Sequence, residues 1–259
     1  MKQWNGLVRK EWASMKWALL AMGIIGIVVL SIFPFLIRQI FGLDIHFYEI
    51  TLVISFLWAL ASVLAPVATL FVLLEREMKR PDVWLHSTAS IFKLVGSKMV
   101  FAVLIGILSL FIPTTMLAIQ YTLVSAPIFT MEEMVRFGVG FLVTLFFSSI
   151  GIMAIGFFFW VMYRLIKPAV KGFAVPLTLL LFFFSTWLIT KITLSDSYQR
   201  VVMVGKVDLS KLEAIRLPSG GRFEMGPSEI YTGEIVVDVL ITFAMVIGAA
   251  VLFEKKVRL

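Results

Sequence analysis

Long runs of hydrophobic residues alternate with short polar segments along the whole chain. Each run has close to the ~20 residues that a helix, rising ~1.5 Å per residue, needs to cross a hydrocarbon core of ~30 Å. None of the runs contains Lys or Arg. The pattern predicts an all-α integral membrane protein with six transmembrane helices, at residues 17–36, 51–74, 99–124, 137–162, 173–189 and 235–253.

Positive charges between the runs predict which helix ends face the cytoplasm, because cytoplasmic loops carry an excess of Lys and Arg. The short loops 37–50 and 125–136 carry one such residue each. The alternate segments carry four in 1–16, five in 75–98, three in 163–172 and three in 254–259. Both termini are therefore predicted to be cytoplasmic. The first run is longer than the core of a signal peptide, so a retained first span is expected.

The longest polar segment, residues 190–234, is predicted to be a small extracytoplasmic cap between helices five and six. Its six Lys and Arg residues are balanced by six Asp and Glu residues. A segment of about 45 residues is too small to hold a core without help, so we expect it to pack on the ends of the spans. Residues 215–225 alternate around a Pro-Ser-Gly-Gly turn, which predicts a short hairpin.

Composition agrees with the membrane assignment and excludes several kinds of site. Hydrophobic residues make up 60% of the chain and charged residues 15%, whereas a soluble domain has roughly 45–50% and about 25%. The net charge of +7 comes from Lys and Arg between the spans, where they meet anionic lipid headgroups, so no nucleic-acid partner is expected. With no Cys and only two His, no disulfide or metal site is expected.

Residues 1–16 carry an apolar stripe at helical spacing. The basic residues of this segment lie elsewhere around the helix, which predicts an interfacial amphipathic helix in the headgroup layer, ahead of the first span. The alternative is a basic start that only fixes the topology. The stripe consists of Trp4, Leu7, Val8, Trp12 and Met15.

The cytoplasmic segment 75–98 combines charges with bulky apolar residues. Span two is expected to continue as a charged helix until Pro81, with Asp82 capping a short helix after it. Trp84 and Leu85 in so polar a segment indicate a docking surface, since aromatic anchors are favoured at interfaces. Ser87 or Ser90 is expected to open the approach to span three. The alternative is an ordinary loop with Trp84 at the bilayer surface.

Asp238 is the one acid inside a predicted span and is a possible intramembrane polar site, because burying its charge is costly. No phosphate-binding loop, zinc-protease motif or serine-hydrolase motif occurs in the sequence. The chain is therefore not expected to be an enzyme.

These features together resemble the membrane-spanning permease subunit of a bacterial ABC-2-type transporter, with the fold of the type V exporters. The resemblance rests on the amphipathic start with residues 7–12, on the six-span topology, and on residues 75–98, which look like the loop that docks on the ATPase subunit. It departs from related exporters in segment 190–234, which is polar where they often have re-entrant helices.

The resemblance implies a multi-pass protein of the bacterial cell membrane that exports an amphipathic, peptide, lipid or cell-wall-related substrate. ATP and Mg would be bound by separate ATPase subunits, with no cofactor in this chain, and a second permease chain would complete a dimer. The ATPase would dock on Arg80, Asp82, Trp84, Leu85, His86, Ser87 and Ser90. Two alternatives stay open, an ion-coupled secondary transporter and a non-transporting immunity or sensor protein that contacts membrane lipids.

Overall fold

The computed structural model describes residues 2–42, 47–79, 90–123, 130–208, 214–216, 222–224 and 229–256. This part of the chain is nearly all helical. Its α-helices are α1 (Lys2–Phe41), α2 (Phe47–Ser62), α3 (Ala65–Met78), α4 (Ile91–Leu123), α5 (Met131–Val170), α6 (Ala174–Thr193), α7 (Asp196–Val202) and α8 (Thr232–Lys256). A 3₁₀ turn, Lys171–Phe173, joins α5 to α6.

Four helical stretches in the described residues are long and apolar enough to cross a membrane, or five if one bent pair counts as a single span. They are Trp4–Ile40, Ile91–Thr122, Met134–Thr193 and Thr232–Lys256, with Glu49–Ser62 plus Ala65–Met78 as the bent pair. This confirms a helical protein with several candidate spans. The sequence predicted six, and the counts differ because predicted spans four and five lie in one helical stretch of 60 residues.

That long stretch reverses direction at the 3₁₀ turn. Lys171 has a positive φ of 45°, a backbone conformation that interrupts a regular helix. The rings of Phe159 in α5 and Phe182 in α6 lie 5.2 Å apart in a T-shaped contact. In a straight helix, residues this far apart in sequence would be separated by about 34 Å. The end of α5 and the middle of α6 therefore lie side by side.

The chain forms two compact units, Met1–Ile152 and Met153–Leu259. In the first unit α4 contacts α1, α2 and α3. Its main core cluster consists of Leu73, Phe101 and Ile105, against which Met15, Leu19 and Met22 of α1 pack. A second cluster joins α2, α4 and the start of α5 through Ala59, Val63, Leu110 and Leu145. These contacts bring the start of α1, the end of α3 and the start of α4 together.

Two predicted elements differ from the structure. The predicted interfacial helix 1–16 and the first span 17–36 form one continuous helix, α1. The reason is local, since residues 9–22 contain no Gly or Pro that would favour a break. The predicted second span 51–74 is broken after Ser62 and bends by 40°. Pro66 accounts for this break, because it has no N–H to donate to the carbonyl of Ser62.

The predicted cap, 190–234, contains α7 and four short strands in the second unit. The strands are β1 (Lys206–Asp208), β2 (Ala214–Arg216), β3 (Arg222–Glu224) and β4 (Glu229–Tyr231). Strands β2 and β3 pair antiparallel, with Ile215 opposite Phe223, as the hairpin predicted at 215–225 requires. The Pro-Ser-Gly-Gly turn of that hairpin lies outside the described residues. Strands β1 and β4 also pair antiparallel, with Val207 opposite Ile230.

Candidate functional site: a buried ion-pair cluster

Four charged side chains meet in the first unit, where the start of α1, the end of α3 and the start of α4 come together. We call Lys10, Glu11, Glu77 and Lys98 the ion-pair cluster. The Lys98 Nζ atom contacts the Glu11 carboxylate and lies 3.1 Å from Oε1 of Glu77. The Lys10 Nζ atom lies 2.7 Å from the same Glu77 oxygen. One oxygen of Glu77 thus accepts from two ammonium groups on different helices.

Each of the three inner charges occupies the buried face of its helix. Glu11 follows Trp4, Leu7 and Val8 at helical spacing and precedes Met15. Lys98 continues the buried stripe of α4 formed by Ile91, Leu94, Val95, Ala102 and Ile105. Glu77 follows the buried Leu70, Leu73 and Leu74 of α3. The apolar stripes that pack these helices together therefore also bring their charges into contact.

Burial makes the pairing within the cluster obligatory. The side chains of Lys98 and Glu11 are only 2% and 4% exposed, and an isolated charge at such a site would be strongly unfavourable. Two carboxylates face the single buried ammonium group of Lys98. Lys10, whose side chain is 59% exposed, supplies the second positive charge from the surface. The four groups together are formally neutral.

Glu77 lies beyond the apolar run 51–74, in the last turn of α3, and its side chain is 15% exposed. Its carboxylate links α1 to α4, because Lys10 and Lys98 both donate to it.

Two further contacts join the same helix ends. The Arg76 Nη1 atom donates a hydrogen bond to the Ser14 carbonyl oxygen at 3.3 Å. The Trp4 ring covers Gly96, where an added Cβ would lie 3.5 Å from the ring. The start of α1 is thus attached to both α3 and α4 at several points.

Most of the predicted docking residues lie outside the described residues: Arg80, Asp82, Trp84, Leu85, His86 and Ser87. Ser90 is described and exposed. Its carbonyl oxygen accepts the N–H groups of Lys93 and Leu94 at 3.0 and 3.1 Å, so Ser90 opens α4 as predicted. Glu77 and Lys98 stand on either side of the stretch 79–90, and their ion pair joins the two ends of the predicted docking segment.

The predicted interfacial residues divide between two surroundings. Trp4 lies against Gly96 and Met15 packs on the main core cluster, so part of the stripe faces neighbouring helices instead of headgroups. Trp12 is 53% exposed, while Leu7 and Val8 are half-buried. The stripe was predicted from its period alone, which does not distinguish a lipid-facing surface from a protein-facing one.

Asp238 lies apart from the ion-pair cluster in sequence and belongs to the second unit. It is exposed in the second turn of α8, and its role as an intramembrane polar site stays a prediction. In the described ranges, no three His, Asp or Glu side chains come together as a metal site would require.

The sequence prediction missed the ion-pair cluster, although a signal was present. Glu11 sits at an apolar-stripe position of α1, at helical spacing from Trp4, Val8 and Met15. Lys98 similarly follows Leu94 and Val95 on the stripe of α4. A charge at an apolar position of an amphipathic helix indicates a buried pair, because an unpaired one would be too costly.

Comparison with known proteins gave no match: no family model, no curated protein and no solved structure matches this chain. The class of protein therefore rests on the fold and the site. Several long apolar helices, in a chain with few charges, indicate a multi-pass membrane protein. Three of its helices are joined at one end by the ion pairs of Lys98 with Glu11 and Glu77.

Proposed function

We propose that the chain is the membrane-spanning permease subunit of an ATP-binding-cassette exporter of the ABC-2 type, driven by separate ATPase subunits. The observation that carries this proposal is the ion pair between Glu77 and Lys98, 3.1 Å apart, which closes the base of the segment expected to dock on the ATPase. The contact of Lys98 with Glu11 also attaches α1 to the base of this segment.

The mechanism requires the docking segment to be firmly attached to the spans. ATP binding can shift a permease between two states only if the ATPase contacts those states differently. If the two ends of the docking segment were not held together, the segment would move with the ATPase without moving the spans. Because Glu77 and Lys98 hold its two ends together, a displacement of residues 80–89 would move α3 and α4 as one, and Glu11 would take α1 with them.

Six membrane crossings are part of the proposal, with both termini in the cytoplasm of a bacterial cell. The contact between Phe159 and Phe182 supports two crossings within Met134–Thr193. A single helix of that length would span about 90 Å, three times a hydrocarbon core of ~30 Å. The bent pair α2–α3 would form the second span, and residues 190–234 would lie outside the cell.

The proposed assembly contains two permease chains, this one with a copy or a related chain, and two ATPase subunits that bind ATP and Mg. The substrate is expected to be amphipathic, a peptide, a lipid or a cell-wall compound. Residues 80–90 would contact the ATPase, with Trp84 and Leu85 as anchors.

Co-purification with candidate ATPases tests the proposal. The wild-type chain should retain an ATPase through purification, and Trp84→Ala/Leu85→Ala should lose most of it. The matched control is Trp187→Ala/Leu188→Ala, which removes the same residue types from an exposed surface of α6 and should retain the ATPase. If the wild type binds no ATPase and shows no ATP-dependent transport, the proposed function is wrong. If both double variants bind equally, the docking surface is misplaced.

A transport assay separates the proposal from an ion-coupled transporter. Vesicles with the complete complex should move substrate when ATP is supplied and the proton gradient has been collapsed. The ion-coupled alternative would be favoured if transport stopped when the proton gradient was collapsed and if Asp238→Asn abolished transport.

A further inference from the structure

Two buried polar atoms of the first unit have no hydrogen-bond partner among the described residues: Ser55 Oγ in α2 and Gln120 Oε1 in α4. Ser55 is only 1% exposed. In the same helix, Thr51 and Ser62 each donate to the carbonyl oxygen four residues earlier, at 3.0 and 2.9 Å, and Ser55 does not. Both helices belong to candidate membrane spans, where an unsatisfied polar group is costly.

A third polar group, the backbone carbonyl of Leu30, belongs to α1. Pro34 lies inside this helix and has no N–H to donate to that carbonyl. Both residues are buried. Pro113 has the same effect on the Ser109 carbonyl in α4, and there the Ser62 hydroxyl lies 3.4 Å away and donates to it. Pro34 likewise leaves the Leu30 carbonyl open to a donor from outside α1.

The packing of α1, α2 and α4 brings these three groups to one level of the first unit. Each of the three helices contacts the other two. The hydroxyls of Ser62 and Ser109 are 2.7 Å apart, and a Cβ atom at Gly26 would lie 3.0 Å from Ile112 and 3.2 Å from Trp58. The later residue of α2 thus meets the earlier residue of α4, so these two helices are antiparallel. Counted from these contacts at ~1.5 Å per residue, the three polar groups lie within about one helical turn of each other.

Ser55 and Gln120 also lie on the helix faces that meet. Ser55 precedes Ser62 by seven residues and Gln120 follows Ser109 by eleven, which are close to whole numbers of helical turns. Side chains of a helix tilt toward its N-terminus. Because α2 and α4 are antiparallel, the side chains of Ser55 and Gln120 tilt toward each other.

Three uncharged oxygens at one level suit a water molecule. The Ser55 hydroxyl can donate one hydrogen bond, whereas Gln120 Oε1 and the Leu30 carbonyl oxygen only accept. A direct bond from Ser55 would satisfy one acceptor and leave the other unpaired. A water molecule would accept from Ser55 and donate to both acceptors, which makes the roughly three hydrogen bonds typical of a buried water. Calcium and magnesium instead take about six or more oxygen ligands, usually with carboxylates among them.

We propose that α1, α2 and α4 bind a water molecule through the Leu30 carbonyl, Ser55 Oγ and Gln120 Oε1. Leu30 lies 19 residues beyond Glu11 in the same helix, a distance of about 28 Å. Polar contacts would therefore join these helices at two well-separated levels, by ion pairs at one and by a water at the other. Because the Leu30 carbonyl would bond to water, α1 could bend at Pro34 without breaking a helical hydrogen bond. This inference does not depend on an ATPase partner or on transport.

A crystal structure of the full-length protein grown in a lipid mesophase, at a resolution that shows ordered waters, tests the inference. The wild type should show a density peak about 2.7–3.2 Å from all three oxygens. Ser55→Ala/Gln120→Met should lose this peak, because two of its three partners are removed. The matched control is Ser149→Ala/Gln39→Met, which makes the same changes at a hydroxyl bonded within its own helix and at an exposed glutamine. The control should keep the peak.

Thermal unfolding in sodium chloride and in choline chloride identifies the occupant. The Tm of the wild type should be the same in both salts, because a bound water does not depend on the cation. A higher Tm in sodium that Ser55→Ala/Gln120→Met loses would identify a cation site and overturn the inference. It is also wrong if the crystal structure shows Ser55 bonded directly to Gln120 or within α2 with no peak between them, or if the two double variants keep or lose the peak alike.

Discussion

At the residue scale, Lys98 is the most constrained charge in the described part of the first unit. Its ammonium group contacts Glu11 and Glu77, and its side chain is only 2% exposed. A buried ion pair adds little net stability compared with an apolar replacement, but the loss of one partner leaves an uncompensated charge. The cluster therefore determines which helix positions can face each other.

Replacing Lys98 with Met should destabilise the first unit by about 3–5 kcal/mol, because Glu11 would stay buried with no partner inside the bundle. Unfolding of the purified protein in mixed micelles measures this loss. The double variant Glu11→Gln/Lys98→Met should recover much of it, since the orphaned carboxylate is then removed. The control is Lys93→Met on the exposed face of α4, which should change stability by less than ~0.5 kcal/mol. A Lys98→Met protein as stable as wild type would contradict this account of the cluster.

The outer partner of the cluster should behave differently. Lys10 is 59% exposed, so solvent screens its pairing with Glu77, and Lys10→Met should cost only about 0–1 kcal/mol. The same unfolding measurement, repeated at high salt, should show a smaller effect for Lys10→Met and an unchanged one for Lys98→Met. An equal cost for both variants would mean that burial does not control the strength of these pairs.

At the element scale, α3 and α4 approach closely at Gly106 and Pro66. A Cβ atom at Gly106 would lie 2.5 Å from the Pro66 Cγ atom, and the proline ring has little freedom to move. Near this crossing, Ser62 and Ser109 share a hydrogen bond of 2.7 Å between their hydroxyls. These two contacts pack α4 against the bend between α2 and α3.

Gly106→Ala should therefore lower the thermal stability of the protein, by about 1–3 kcal/mol for overpacking, although Ala favours the helix more than Gly does. Gly140→Ala in α5 is the matched control, because a Cβ there meets no atom within 4 Å. It should leave the Tm unchanged or raise it. If both variants had the same Tm, close packing of α3 on α4 would not matter to the fold.

At the scale of the whole molecule, the number of crossings follows from whether Met134–Thr193 turns back within the membrane. Because the chain has no cysteine, each introduced cysteine is a unique label site. Gly172→Cys, Met131→Cys and Val204→Cys place labels at exposed or open positions. In intact cells, an impermeant maleimide should label Met131→Cys and Val204→Cys. Gly172→Cys should react only after the membrane has been permeabilised, because it is expected to face the cytoplasm. Labelling of all three from outside would contradict six crossings.

The helical membrane class and the antiparallel pairing of β2 with β3 were predictable from the sequence, because apolar run length and residue alternation are local signals. The continuity of α1 through residue 16 was not predictable, because the apolar stripe of residues 4–15 fits either a membrane surface or neighbouring helices. The burial of Glu11 and of Lys98 has a local signal, because each lies on the apolar stripe of its helix. Which charge pairs with which has none, because the two residues are 87 positions apart and meet only when the helices pack. The docking surface at Trp84 stays a prediction.

The long separation between Glu11 and Lys98 also has a consequence for how the protein is made. A ribosome adds about 5–20 residues per second, so Lys98 is synthesised roughly ten seconds after Glu11. The first helix is therefore complete before the buried counter-charge of Glu11 exists. Glu77, which is made in between, pairs with Lys10 but offers Glu11 no positive charge. The Glu11 carboxylate must therefore stay hydrated until α4 has been made.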